Sequence, residues 1–74
     1  MRIYRVTQEF GFENEILESK YFASQECADK CGYDWSREIE EDGTAFNMQV
    51  VVASYIAVDG GEFEFEQIIR EYEF

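Results

Sequence analysis

The stretch from Phe46 to Val58 constrains the fold more than any other part of the chain. It carries Met48, Val50, Val51, Val52, Tyr55, Ile56 and Val58. Near its middle, apolar residues fall on successive positions rather than alternate ones. Such a run reads as a central strand partly covered on both sides. The rest of the chain must therefore supply a sheet around it. With 74 residues the chain forms one small domain, 1–74, burying roughly 60% of the surface its unfolded chain exposes. Seven Phe, five Tyr and one Trp are how so short a chain builds a core.

The neighbouring strands are legible from period two. Tyr4, Val6 and Phe10 point one way and Arg5, Thr7 and Glu9 the other, so residues 2–10 read as a strand. Gly11 to Glu15 is a turn. Ile16 to Ala23 reads as a second strand, with Leu17 and Tyr21 on one face and Ile16 and Phe22 on the other. The short turn makes these two an antiparallel hairpin. Ser24 then reads as an N-cap with Glu26 in the first turn. Ala28, Cys31, Trp35 and Ile39 form a helical stripe. Gly32 within it costs about 1 kcal/mol against Ala and marks a candidate kink, and Asp42-Gly43 ends the helix with turn chemistry. Asp59-Gly60-Gly61 is a hairpin signature, and Glu62 onward alternates as a last strand to about Arg70. Phe65, Ile68, Ile69 and Tyr72 also match helical spacing, so a short C-terminal helix is the alternative ending. The expected fold is α+β in the order ββαββ, a small antiparallel sheet with one helix packed on one face.

Composition then excludes whole classes of function. There is no His, which removes His-based general base, triad and zinc chemistry. Cys27 and Cys31 lie four apart, on one face of the helix. They are too few for a structural zinc site and wrongly spaced for a two-residue redox motif, so they read as buried free thiols acting as small hydrophobes. Neither Glu40-Glu41-Asp42 nor Asp59 with Glu62 matches a calcium loop; no metal or cofactor is expected. No nucleophile elbow or Gly-rich phosphate loop is present, and the chain reads as not an enzyme. No secretory leader or bilayer-spanning run is visible, and reduced thiols fit a cytoplasmic protein.

Charge is the main functional clue. The chain holds 17 acids against 6 bases, a net of −11, which opposes direct binding to DNA or RNA. The excess is uneven. Residues 1–37 carry seven acids and five bases; residues 38–74 carry ten acids and one base, Arg70. The dense clusters are Glu38, Glu40, Glu41 and Asp42 at the helix end, then Asp59, Glu62, Glu64 and Glu66 along the last hairpin. On a strand, Glu62, Glu64 and Glu66 would form a ladder about 6.7 Å apart, comparable to successive phosphates of a nucleic acid. These eight acids are the candidate partner-binding residues. The competing account is a solvated face that also guards an edge strand against aggregation. Phe12 in the first turn and Phe74 at the end are candidate aromatic contacts, or else caps on a very small core.

In its length, its acidic Glu38–Asp42 run, its Glu62-Phe63-Glu64-Phe65-Glu66 segment and its lack of a catalytic constellation, the chain resembles the small acidic inhibitors that phages encode against host defences or host enzymes, of anti-CRISPR and DNA-mimic type. These share no common fold, so the resemblance carries over no residue role. It implies an inhibitor that blocks a basic nucleic-acid-binding or nucleic-acid-processing host protein, such as a CRISPR effector, in the host cytoplasm. The alternatives are an antitoxin or adaptor neutralising a basic partner, in which aromatic contacts carry the energy, and a structural or assembly protein, monomeric or homodimeric.

Overall fold

A computed structural model describes residues 1–10, 15–43 and 47–74. The order is β1 (Arg2–Phe10), β2 (Glu15–Phe22), α1 (Gln25–Asp42), β3 (Met48–Ala57) and β4 (Phe63–Glu73), the ββαββ order expected. The four strands form one antiparallel sheet in the spatial order β2-β1-β3-β4. The apolar run is indeed central, with β1 on one side and β4 on the other. The α1 crossover is what separates β2 from β3 and leaves room for β1 between them.

Register assigns the two faces of the sheet. Tyr4 and Val6 of β1 pair with Ser54 and Val52 of β3, and Val50 pairs with Tyr72 of β4. On this face Val6, Val50 and Val52 are fully buried beneath Ala28, Trp35 and Ile39 of α1. Tyr4, Phe22, Met48, Ile69 and Tyr72 complete the packing. Lys20 lies over the Trp35 ring, 5.8 Å from its centroid, covering the indole with a cation instead of leaving it to water.

Gly32 does not kink the helix, which runs unbroken from Gln25 to Asp42. It is where α1 comes closest to the sheet: a Cβ there would sit 2.6 Å from Val52 Cγ2. The residue that weakens helix propensity is thus the one that lets the helix seat. Ser24 caps the start, its Oγ accepting from the Cys27 amide at 3.4 Å, and Gly43 closes the end at φ 70°, a conformation open to glycine at little cost. Cys31 is half-buried as its place on the stripe predicts, and burial pushes its thiol pKa up. Cys27, expected to be buried, is exposed; it lies in the first turn, ahead of where the helix meets the sheet.

Three register slips rearrange the side chains that simple alternation would assign. In β2, Gln8 pairs with Glu18 but Glu9 with Ile16, leaving Leu17 as an extra residue. This slip puts Ile16 on the same face as Tyr21, not with Phe22 as the alternation suggests. In β4, Glu66 and Ile69 are the extra residues, opposite the Ser54/Tyr55 and Val52/Ala53 steps of β3. A bulge shifts the phase of alternation by one. The pair of bulges sends Ile68 to the face away from α1 and returns Tyr72 to the core. It also explains the helix-like spacing of Phe65, Ile68, Ile69 and Tyr72. The chain remains a strand as far as Glu73, past the expected end near Arg70. The first turn with Phe12, and Phe46 at the expected start of β3, lie outside the described residues.

Candidate protein-binding surface

The antiparallel arrangement brings the end of β1, the start of β2, the start of β3 and the end of β4 to one end of the sheet. The last turn of α1 reaches the same end. Glu38, Ile39, Glu41 and Asp42 there line an open groove with Gln8 and Met48, about 560 Å³ in volume. Ile39 and Met48 give it apolar wall, and the three carboxylates give it charge. Glu9, Glu15, Glu71 and Glu73 sit on the strand ends at this same end; the pairing of Glu9 with Gln49, of Gln49 with Glu73 and of Val51 with Glu71 puts Glu9, Glu71 and Glu73 on the face of the sheet away from α1 and the groove. This end of the molecule is an acidic pole.

The helix sharpens the polarity. The C-terminal end of a helix carries roughly half a negative charge. Its last turn has no basic residue and instead carries Glu40, Glu41 and Asp42. Arg37 binds Glu41 at 3.0 Å, and Lys30 binds Asp34 at 2.9 Å. Both pairs place the cation N-terminal to the acid, the weaker order for an i,i+4 pair. Charge in the C-terminal half of α1 is thus set against the dipole, an arrangement that lowers helix stability, while Glu26 in the first turn suits it.

The predicted site residues separate into two groups. Glu38, Glu41 and Asp42 come together in the groove; Glu40 is exposed but does not line it. Asp59, Glu62 and Glu64 lie at the far end of β3, roughly 30 Å away at the rise of a strand. Asp59 and Glu62 flank the turn formed by Gly60 and Gly61 at φ 94° and 81°. Glu62 precedes β4, and Glu64 pairs with Ile56. Glu66 is already engaged. Its carboxylate accepts Arg2 Nε and Nη2, both at 2.8 Å, and Ser54 Oγ at 2.7 Å. These hydrogen bonds hold the Glu66 pKa below the usual glutamate value. The bulge at Glu66 thus turns one rung of the ladder into a clamp joining β1, β3 and β4. Phe74 is 40% exposed.

The sheet face away from α1 also lies open. Phe63, Phe65 and Ile68 of β4 share it with Tyr55, Arg5, Tyr21 and Ile16, and Tyr55 and Phe65 meet edge to face at 5.8 Å. The alternation of β1 concealed this face, because Arg5, Thr7 and Glu9 made it read as polar. The available signal was the Phe63/Phe65 alternation, which marks one apolar side of β4.

Among the described residues, no group of three or more Cys, Asp and Glu is placed to hold a metal ion. No helix among them is long and apolar enough to cross a membrane. Comparison of the chain with known protein families, with characterised proteins and with solved structures found no match.

Proposed function

We propose that this is a non-catalytic binding protein, an inhibitor whose acidic pole docks on a basic protein and occupies surface that partner uses for nucleic acid. One observation carries the reading. The carboxylates of Glu38, Glu41 and Asp42 gather at the end of the sheet where the helix dipole is already negative, around a groove with apolar wall. Folding alone does not favour that arrangement. A Lys or Arg side chain fits it: the ammonium or guanidinium meets Glu38, Glu41 and Asp42, and the aliphatic stem lies along Ile39 and Met48. A long-range acidic field also speeds encounter with a basic partner. The DNA-mimic and anti-CRISPR type of inhibitor supplies the partner class: a nucleic-acid-binding host protein.

The test is capture from a bacterial lysate on the immobilised protein, eluted with a salt gradient and read by mass spectrometry. One nucleic-acid-binding protein eluting at moderate salt supports the proposal, and nucleic acid should then compete for it. Glu38→Lys with Glu41→Lys and Asp42→Lys should abolish capture, while Asp59→Lys with Glu62→Lys and Glu64→Lys should not. Many basic proteins eluting together at low salt would reduce the charge to a solvated surface. An adaptor or antitoxin reading is favoured by a different observation, the open aromatic face. In that case Phe65→Ala would weaken capture more than the substitutions in the groove.

A further inference from the structure

We infer that the open face of the sheet seats an amphipathic helix of a partner protein, apolar along one side and basic at one end. This concerns the face away from the groove and does not depend on docking at the acidic pole. Near one end of the face Tyr55 pairs with Phe65, and Arg5 with Tyr21 and Ala53. Towards the other end Val51 pairs with Glu71, and Gln49 with both Glu9 and Glu73. The large exposed side chains stand on the outer strands. Tyr21 and Ile16 of β2 are 60% and 47% exposed, and Phe65 and Ile68 of β4 are 58% and 49% exposed. Between them, on the central strands, Thr7 and Ala53 are only 5% and 6% exposed. The face is therefore a trough along the strands with small residues on its floor. Two depressions of about 340 and 190 Å³ lie in it. Ile3, Tyr21 and Phe63 line the first, Ile16, Val51 and Phe65 line the second, and Arg5 and Tyr55 border both.

Shape and charge select the occupant. Backbone groups inside a sheet are already paired, so the trough has nothing for an extended peptide, which would pair at an edge. A helix brings its own backbone hydrogen bonds. The outer strands stand about 14 Å apart at the usual strand spacing, which admits a helix about 10–12 Å across with its side chains. On β1 the depressions are centred roughly three residues apart, or about 10 Å. Two turns of helix cover that rise, so apolar residues at i and i+7 would fill both. The charged side chain of the aromatic half is Arg5. Its Nη1 donates to Tyr55 Oη at 3.3 Å, and its guanidinium lies 5.9 Å from the Tyr21 ring centroid. Its Nε is buried with no hydrogen-bond partner among the described residues, so an acceptor on the occupant suits it. At the other end Glu9, Glu71 and Glu73 lie within about 12 Å of one another at strand spacing. None of the three is in an ion pair among the described residues. Lys or Arg at that end of the helix answers them. A second copy does not. Stacked with its acidic end on the acidic end, it sets acids on acids; turned end for end, it sets them on the rings of Phe63 and Phe65.

The test is selection from a displayed library of randomised peptides on the immobilised intact chain, followed by fluorescence anisotropy of the enriched peptide at about 0.15 M NaCl. Peptides of about 18 residues suit it, since five turns of helix span about 27 Å, the length of β3 from Ala57 to Gln49. The expected sequences carry apolar residues at i, i+3 or i+4 and i+7, with Lys or Arg towards one end, and gain helical circular dichroism on binding. Phe65→Glu should weaken binding roughly tenfold. Glu71→Lys with Glu73→Lys should also weaken it roughly tenfold, and replacing the basic residues of the peptide with Glu should then restore it. That exchange of charge decides the question even if the Phe65 variant misfolds. No enrichment, or enriched peptides that bind in extended form, overturns the inference. So does binding that survives Phe65→Glu but is lost in the Glu38→Lys, Glu41→Lys and Asp42→Lys variant, which would place the peptide in the groove. A wild-type dimer that Phe65→Glu dissociates overturns it as well. Capture from lysate reads the groove, so each proposal can fail without the other.

Discussion

At the scale of single residues, two positions show how local cost and global fit are traded. Gly32 gives up helix propensity so that α1 can approach Val52. Gly32→Ala gains about 1 kcal/mol of propensity but pushes a methyl into a fully buried, β-branched side chain with one comfortable rotamer. Overpacking of that kind costs about 1–3 kcal/mol, so the expected outcome is a net loss of stability in urea denaturation. Adding Val52→Ala should recover part of it, and strict additivity would contradict the contact. Glu66 is the second position. Its folded pKa is depressed chiefly by the hydrogen bond from Arg2 and next by that from Ser54. The clamp therefore stabilises the fold fully above the unfolded glutamate pKa, and that contribution is lost as pH falls through the depressed folded value. Comparing thermal midpoints of the wild type and Glu66→Gln against pH isolates it. The variant should be the less stable at neutral pH, and the gap should close on acidification. A gap independent of pH would mean that the clamp acts through shape alone.

At the scale of elements, what the sequence made legible followed period and punctuation. The capped helix, the β1 alternation, the Gly60-Gly61 turn and the central β3 run are local signals, and each appears where its residues lie. What was hidden depends on pairing between strands. A bulge is a relation between two strands, and nothing in Leu17, Glu66 or Ile69 taken alone announces it. The bulges sent Ile16 and Ile68 to the open face and took Glu66 out of the carboxylate ladder. The acidic pole was half legible: the Glu38–Asp42 run stands out in the sequence, but its convergence with Glu71 and Glu73 requires β4 to end beside the start of β3. The charge of α1 yields a prediction at this scale. Glu40 is exposed in the last turn and outside the groove. Glu40→Lys places a cation at the negative end of the dipole and should stabilise the protein by about 0.3–1 kcal/mol, read as a higher urea midpoint. A lower midpoint would remove the argument that acids in this turn are held against the preference of the helix.

At the scale of the whole molecule, the net charge of −11 and the small core act on the same balance. Among the described residues, ion pairs bind Arg2, Lys30 and Arg37 to acids. Lys30 and Arg37 lie on the surface with their partners, where such pairs contribute about 0–1 kcal/mol and weaken with salt. Repulsion among the remaining carboxylates is spread over the molecule and is screened by the same salt. Repulsion acts between many more pairs of charges than the few ion pairs, so its relief should win. Thermal stability should therefore rise between about 0.05 M and about 0.5 M NaCl. A gain of roughly 1 kcal/mol corresponds to about 4–8 °C in a domain of this size. A midpoint that falls with salt would mean the ion pairs outweigh the repulsion. The acidic pole would then have no cost in folding to explain, and the argument that it is kept for a basic partner would lose its footing.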